Sequence, residues 1–286
     1  MNPFEPQSIL CGADFSPASL TALSYAALLA RAYGAALEVL HSHHVELPAY
    51  LGEQQWARLQ GELQAARASA EQHLRDFAAP ALGDLAPTAQ ITAVDAPPVD
   101  GLLQAVQERH PDLVVLGSHG HNRLNQFLLG SVSAGVLREV TAPLLVTRQR
   151  LDSEPTAARI EHVLCPVNYT ETATVGLQTA ASLAARLGAR LSIVHALEHD
   201  GDRAAERERL CQWVPPQVRA DCTWETAPVL RGPAAESIVR AAQEMGADLI
   251  VVGGRRRSLL TATLLGATTE RVVRHATCPV LTVVGS

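Results

Sequence analysis

The chain has 286 residues, of which 47% are hydrophobic and 18% are charged, so it can bury ample apolar surface in two folded domains. The net charge is −6 and no basic run is longer than Arg255–Arg257, which argues against nucleic acid as a partner. No apolar stretch reaches the roughly 18–20 residues of a membrane span, and the first residues do not resemble a signal peptide. We therefore expect a cytoplasmic protein with no membrane partner.

The first half of the chain predicts alternating strands and helices. Five short apolar runs predict strands, at Ile9–Ala13, Leu37–His41, Thr88–Val94, Leu113–Leu116 and Pro143–Thr147. Helical patterns lie between them, from Pro17 to Gly34 and at Trp56–Phe77, Val99–Arg109 and Ser131–Val140. Short, fully apolar strands separated by amphipathic helices are typical of a parallel sheet that is covered on both faces.

The second half repeats the first. Ser8–Ser16 aligns with His162–Thr170 at an offset of 154, while Gly117 aligns with Gly253 at an offset of 136. The difference of 18 residues falls between His41 and Ala96, so the first copy carries a longer middle segment. A repeat of this length predicts two similar domains.

We assign these domains to residues 1–148 and 159–286, joined by the polar linker 149–158. Each is expected to be a doubly wound α/β domain with a five-stranded parallel sheet. We also expect the two final strands, Pro143–Thr147 and Pro279–Val283, to pack on each other, because an exposed apolar edge strand invites aggregation.

The basic residues and the cysteines limit the catalytic and redox chemistry that the chain can perform. All 23 basic residues are arginine, which excludes a Walker lysine, a Schiff-base lysine and a lysine general base. The five cysteines form no C-x-x-C pair, and their odd number is typical of reduced thiols in a cytoplasm. Cys11 and Cys165 occupy equivalent apolar strands, so we predict that both are buried as small hydrophobic residues.

A glycine pattern follows the fourth predicted strand. Gly117 and Gly120 come directly after the strand, and Gly130–Ser131 opens the next helix. Glycine lets backbone N–H groups approach phosphate oxygens, and a helix N-terminus favours an anion. Asp14 ends the first strand, and ligands of such sheets lie beyond the carboxyl ends of the strands. Because Arg123 is the only cation of the loop, we expect a divalent metal to accompany a bound phosphate.

The second repeat has lost half of this pattern. Asn168 stands in place of Asp14, Arg256 in place of Gly120, and Ala267 in place of Ser131. An arginine side chain would occupy space that the backbone needs in order to approach phosphate. We predict that the second domain does not bind nucleotide, with capture of another anion by Arg255, Arg256 and Arg257 as the alternative to a solvated loop.

The pattern G-x-x-G-x9-G-S after an apolar strand, with Asp at the end of the first strand, closely resembles the ATP-binding branch of the universal stress protein family. The resemblance covers nearly the whole chain, which looks like a tandem two-domain member. It implies strand order 3-2-1-4-5 and a homodimer formed through the last strand. One position departs from the family pattern in the first copy, because Ala96 stands where the family usually has Gly.

The resemblance also implies the residues of an ATP site. Asp14 and the backbone near Ser42 would contact the adenine. The phosphates would be held by Gly117, Gly120, Gly130 and Ser131, with Leu116 and Val132 beside them. ATP, with Mg²⁺ or Mn²⁺, is therefore the expected cofactor, bound by the first domain only, and no residue is assigned a catalytic role.

Three other features allow more than one interpretation. His41, His43 and His44 are either a metal site at the end of the second strand or structural residues, and His195 matches His41 in the second repeat. His119 and His121 either serve the phosphate or are exposed loop residues. The long segment Glu53–Phe77 is either an amphipathic core helix, a cover for the nucleotide or a docking element for a partner.

Three functions from different classes follow. The leading prediction is an ATP-responsive stress or regulatory module without enzymatic turnover. The alternatives are a slow ATPase or nucleotidyl-transferring enzyme on the same fold, and a dimeric scaffold that binds no nucleotide. The preserved glycine pattern of the first repeat argues against the scaffold, since an unused loop should have drifted as the second one has. The sequence identifies no protein partner.

Overall fold

A computed structural model provides the structure of the chain. It describes residues 4–44, 53–119, 129–148, 158–197, 202–216, 218, 223–226, 230–254 and 266–284. The predicted linker 149–158 lies almost entirely outside these residues, and so do Gly120, His121, Arg123 and Arg255–Arg257.

The first repeat forms a parallel five-stranded sheet. Its strands are β1 (Ser8–Gly12), β2 (Ala36–His43), β3 (Gln90–Asp95), β4 (Leu113–Gly117) and β5 (Leu144–Thr147), and they lie in the order 3-2-1-4-5. The helices between them are α1 (Pro17–Tyr33), α2 (Glu53–Leu82), α3 (Pro98–Arg109) and α4 (Ser131–Glu139). The predicted fold class and strand order are confirmed, and strand boundaries differ from the predicted ones by one or two residues.

The second repeat has the same arrangement. Its elements are β6 (His162–Val167), α5 (Glu171–Leu187), β7 (Arg190–Leu197), α6 (Arg203–Trp213), β8 (Trp224–Thr226), β9 (Leu230–Arg231), α7 (Ala234–Glu244), β10 (Leu249–Gly254), α8 (Ala267–His275) and β11 (Val280–Val284). β8 and β9 both pair with β7, so together they occupy the place of β3. The order is again that of the first repeat, which confirms two tandem doubly wound halves.

The two halves share one continuous sheet. β5 pairs with β11 in the antiparallel sense, with Leu145 opposite Leu281, as the sequence predicted for the final strands. Each of these strands has a second neighbour on its other side, β4 for β5 and β10 for β11. The pairing leaves neither final strand with a free edge, so the predicted homodimer remains a prediction that needs a different surface.

Antiparallel pairing also fixes the direction of each half. The carboxyl ends of β1 to β5 lie at one edge of the shared sheet, and those of β6 to β11 lie at the opposite edge. Ligands of doubly wound sheets bind beyond the carboxyl ends of the strands. The candidate crevices of the two repeats therefore lie at opposite edges of the shared sheet.

Local sequence explains how the first helix of each repeat begins and ends. The side chains of Ser16 and Thr170 accept from the third backbone N–H after them and cap α1 and α5. Gly34 and Gly188 end these helices in the left-handed conformation, with φ of 68° and 66°. Because both repeats use the same signals, the helices start and stop at equivalent positions.

The helices cover both faces of the sheet, and apolar side chains fill the two layers between. Helices α1, α2, α5 and α6 lie on one face, and α3, α4, α7 and α8 lie on the other. Cys11 and Cys165 are fully buried in the first layer, as predicted, and burial raises the pKa of each thiol far above its usual range. Among the described residues, no helix has the length and apolarity of a membrane span.

The long segment of the first repeat is a helix that is anchored at one end. In α2 (Glu53–Leu82), the second half buries Leu74, Ala78, Ala81 and Leu82 against α1 and the sheet. The first half carries no fully buried side chain among those described, and Trp56 is 44% exposed. The core-helix interpretation therefore holds for the second half alone.

Candidate functional site

A cavity of about 360 Å³ opens beyond the carboxyl ends of β1 and β4. This is the crevice where the strand order reverses and where doubly wound sheets bind ligands. Its lining includes seven of the eight residues that the sequence predicted, namely Asp14, Ser42, Leu116, Gly117, Gly130, Ser131 and Val132. The eighth, Gly120, lies outside the described residues.

Asp14 sits in a tight turn between β1 and α1. Its carboxylate accepts the backbone N–H of Ser16 at 3.0 Å, and the next residue, Phe15, has a positive φ of 62°. The Phe15 ring packs against His41, whose Nδ1–H donates to the Ala13 carbonyl at 2.8 Å. The histidine thus supports the turn that presents Asp14, and His195 makes the same bond to Val167 in the second repeat.

This placement favours the structural interpretation of the histidines at the end of β2. The ring of His43 stacks on that of His41, and His44 lies 3.6 Å from the carboxylate of Asp95. In the described part of the chain, no three His, Cys, Asp or Glu side chains are grouped as metal ligands would be.

Ser42 forms the wall of the cavity at the end of β2. Its hydroxyl donates to the Ala96 carbonyl at 2.8 Å, which ties β2 to the loop before α3. Gly101 of α3 faces this hydroxyl so closely that any side chain at position 101 would overlap it. Ala96 does not have a positive φ, so its methyl group causes no backbone strain where the family pattern has Gly.

The N-terminus of α4 faces the cavity with backbone donors. Gly130 is the N-cap, no described side chain caps the helix, and its first turn carries no acidic residue. Ser131 is exposed in the first position of the helix, beside Val132. Unsatisfied N–H groups and the positive end of the helix dipole favour an anion at this point.

Gly117 has a packing role that the sequence analysis did not recognise. A Cβ atom on Gly117 would lie 2.9 Å from the backbone carbonyl group of Ala18, because α1 packs directly on the end of β4. At the equivalent Gly253, a Cβ atom would overlap the Thr172 carbonyl. Both repeats therefore need glycine here for helix packing, and its retention in the second repeat says nothing about phosphate.

His119 lines the cavity on the loop after β4. Its Nδ1 pairs with the Ser118 hydroxyl at 2.9 Å, and its Nε2 is buried. Burial of the imidazole lowers the pKa of His119, and the positive charge of Arg148 lowers it further. The imidazole is therefore neutral at pH 7, with a proton on Nε2 when Ser118 donates to Nδ1.

The second repeat differs from the first at more positions than the motif comparison showed. Pro166 stands in place of Gly12, and Ala196 in place of Ser42. Asn168 and Ala267 occupy the places of Asp14 and Ser131, as expected from the alignment. The first turn of α8 also contains an acidic residue, Glu270, which the first turn of α4 lacks. These changes remove two hydroxyls and a carboxylate, and they place a proline where the cavity floor of the first repeat has Gly12.

Sequence reasoning missed part of the cavity wall. The lining residues that were not predicted for the site are Gly12, Ala13, Ser19, Leu40, Pro98, Leu102 and Ser133, and His119, for which two interpretations were open, also belongs to the lining. A Cβ atom on Gly12 would lie 2.5 Å from Leu116, so the floor of the cavity depends on a glycine in a buried strand. A glycine at that position was the signal that could have been read. No residue of α2 belongs to this lining, so the described part of α2 does not cover the cavity.

The comparisons with known proteins agree with this architecture. The model of the universal stress protein family matches residues 6–148 and 225–284, which is more than half of the chain. A universal stress protein of Mycobacterium tuberculosis is 28% identical over 96% of this chain and 95% of its own length. One from Mycolicibacterium smegmatis is 30% identical, over 60% of this chain and 61% of its own.

Among solved structures, a universal stress protein from Archaeoglobus fulgidus superposes with a TM-score of 0.71 at 19% identity, covering 97% of this chain and 98% of that chain. At this identity the likeness supports the fold alone. With the family match in both repeats and the paired doubly wound halves, the chain belongs to the universal stress protein family and is a tandem member of it.

Proposed function

We propose that the first repeat binds ATP and that the protein works as a nucleotide-responsive module in a stress response. The observation that carries this proposal is the cavity beyond β1 and β4, which gathers a carboxylate, an apolar wall and a helix N-terminus that no described side chain caps. Its volume of about 360 Å³ lies in the range of small-molecule sites.

The lining divides into two chemical regions. Leu40, Leu102 and Leu116 form an apolar wall suited to a planar base, beside Asp14 and the Ser42 side of the crevice. Gly130 and Ser131 lie where α4 begins and offer backbone N–H groups and a hydroxyl to phosphate oxygens. A ligand with a planar aromatic base and an anionic tail satisfies both regions.

A divalent cation, Mg²⁺ or Mn²⁺, fits this site as a companion of the triphosphate. The described residues hold no group of three metal-ligating side chains. Such a cation would therefore be held by phosphate oxygens and water, with Ser131 as the available hydroxyl, an arrangement that suits Mg²⁺. When bound, the cation would supply positive charge to the phosphates.

The sharpest test places a carboxylate at the start of α4. Ser131→Glu should lower ATP affinity by about 100-fold or more, because the new charge opposes the phosphates. A carboxylate in the first turn also favours the helix, so the protein should remain folded. Isothermal titration should give one ATP per chain for the wild type.

Ala267→Glu is the matched control, since Ala267 is the exposed residue at the equivalent position of α8. It should leave the affinity and the stoichiometry unchanged. Two equal sites in the wild type, or equal losses in both variants, would contradict the assignment of ATP to the first repeat.

Turnover distinguishes the module from the enzymatic alternative. Hydrolysis needs a positioned base and charge compensation, and in the described part of the site the Nδ1 atom of His119 is already paired with the Ser118 hydroxyl. We expect phosphate release far below a median enzyme rate of about 10 s⁻¹, unchanged in His119→Ala. A rate near that median, lost in the variant, would identify an ATPase instead.

A further inference from the structure

A buried arginine connects the candidate nucleotide site with the second repeat. Arg148 follows β5, and only 6% of its surface is exposed to solvent. Its guanidinium donates to the carbonyls of Val273 and Arg274 at 2.7 and 2.5 Å. These carbonyls belong to the last turn of α8, so a first-repeat side chain caps a helix of the second repeat.

The antiparallel pairing of β5 with β11 explains why the two groups meet. α8 precedes β11 and returns in the direction opposite to it, so the C-terminus of α8 lies at the carboxyl edge of the first half. That is the edge at which the cavity opens. Arg148 thus places a cation against the negative end of a helix dipole, which favours its burial.

The same arginine lies next to the phosphate loop. Thr147 is opposite Gly117 in the β4–β5 ladder, and the N–H of Ser118 donates to the Thr147 carbonyl at 2.9 Å. The backbone of Arg148 therefore lies next to the loop residues Ser118 and His119. His119 lines the cavity. Burial of the imidazole is the main cause that lowers the pKa of His119, and the nearby positive charge of Arg148 lowers it further.

We propose that Arg148 is a positioning residue that supplies buried positive charge behind the phosphate subsite of the first repeat, and that α8 of the second repeat holds it in place. This inference rests on the proposed binding of ATP. It assigns a role to a second repeat whose own motif has decayed: its helix end fixes a cation that serves the first repeat. Val284, the last residue of β11, stands at the position equivalent to Arg148, so the arrangement is not reciprocal.

The test compares ligands that differ only in phosphate charge. Affinities for ATP, ADP, AMP and adenosine are measured by titration for the wild type, Arg148→Gln and Arg148→Lys. A lost buried charge should weaken ATP by about tenfold, ADP and AMP progressively less, and adenosine by less than about twofold. Arg148→Lys keeps the charge and should restore most of the ATP affinity.

If Arg148 has only a structural role, its replacement should weaken all four ligands equally, or lower the melting temperature without changing the ATP affinity. Either result would overturn the inference. Since Arg148→Gln can also impair folding, hydrogen exchange of α8 is measured in the wild type. Protection of residues 270–276 should increase with ATP and not with adenosine, and no difference between the two ligands would count against the coupling. If wild type binds neither ligand, the proposed function itself fails.

Discussion

The two repeats share one fold but differ in the crevice at the carboxyl ends of their strands. The first repeat combines Gly12, Asp14, Ser42 and Ser131 around an open cavity. The second has Pro166, Asn168, Ala196 and Ala267 at the same places. Both repeats retain three features of the fold, which are the capped first helix, the positive φ in the turn after the first strand, and the histidine that supports this turn. Features that the fold requires are therefore present in both repeats, while the features that the proposed ligand would require are present only in the first.

Gly253 allows the strongest test of this distinction. If this glycine serves packing, Gly253→Ala should destabilise the protein by about 3 kcal/mol, because the new methyl group would overlap the Thr172 carbonyl of α5. Gly117→Ala should cost less, about 1–2 kcal/mol, because the contact with Ala18 at 2.9 Å is less severe. Urea unfolding measures both. A Gly253→Ala variant of wild-type stability would show that packing does not explain the retained glycine.

The next test copies the second repeat into the first. Gly120→Arg reproduces the residue at position 256, and the added side chain should fill the space that phosphate needs. We expect ATP affinity to fall by about 100-fold while the far-UV spectrum and unfolding midpoint stay those of the wild type. The reverse change, Arg256→Gly, is the control and should not create a second site, because Pro166, Asn168, Ala196 and Ala267 remain. Binding within a few-fold of the wild type in Gly120→Arg would refute the loop assignment.

The smallest expected effect concerns a buried histidine that only the second repeat has. His162 is 2% exposed, and Ser8 is its counterpart in the first repeat. The Nδ1 atom of His162 contacts the Met245 carbonyl, and its Nε2 atom contacts the Ser192 hydroxyl. Burial lowers the pKa of His162, and the positive charge of Arg190 lowers it further. The unfolded chain therefore binds the proton more readily than the folded chain.

Stability from this histidine should accordingly be present above about pH 6.5 and be lost as the pH falls below that value. The change His162→Gln should flatten the pH dependence of the unfolding free energy between about pH 5 and 7. Denaturant unfolding at several pH values measures this slope, and Ser192→Ala is a control that keeps the imidazole. An unchanged slope in His162→Gln would assign the pH dependence to other groups.

Much of the architecture could be predicted from the sequence, because its signals are local or periodic. The Ser16-Pro17 cap and Gly34 set the limits of α1 through hydrogen bonds within a few residues. The repeat itself predicted two matching halves, and apolar edge strands predicted that β5 and β11 would pair. The motif residues could be named in the same way, since glycines and a serine at fixed spacing fall on one loop and one helix N-terminus.

What the sequence could not provide depends on distances between segments far apart in the chain. The need for glycine at position 117 became clear only when α1 was seen to pack on β4, since Ala18 is about one hundred residues away in sequence. The dependence of the cavity floor on Gly12 is of the same kind, because Leu102 and Leu116 come from other elements. The role inferred for Arg148 depends on the antiparallel pairing of β5 and β11, which brings the end of α8 to the edge of the other repeat. Local hydrogen bonds and periodicity thus determined the elements and the motif, whereas close packing between distant segments decided which residues the site and its support require.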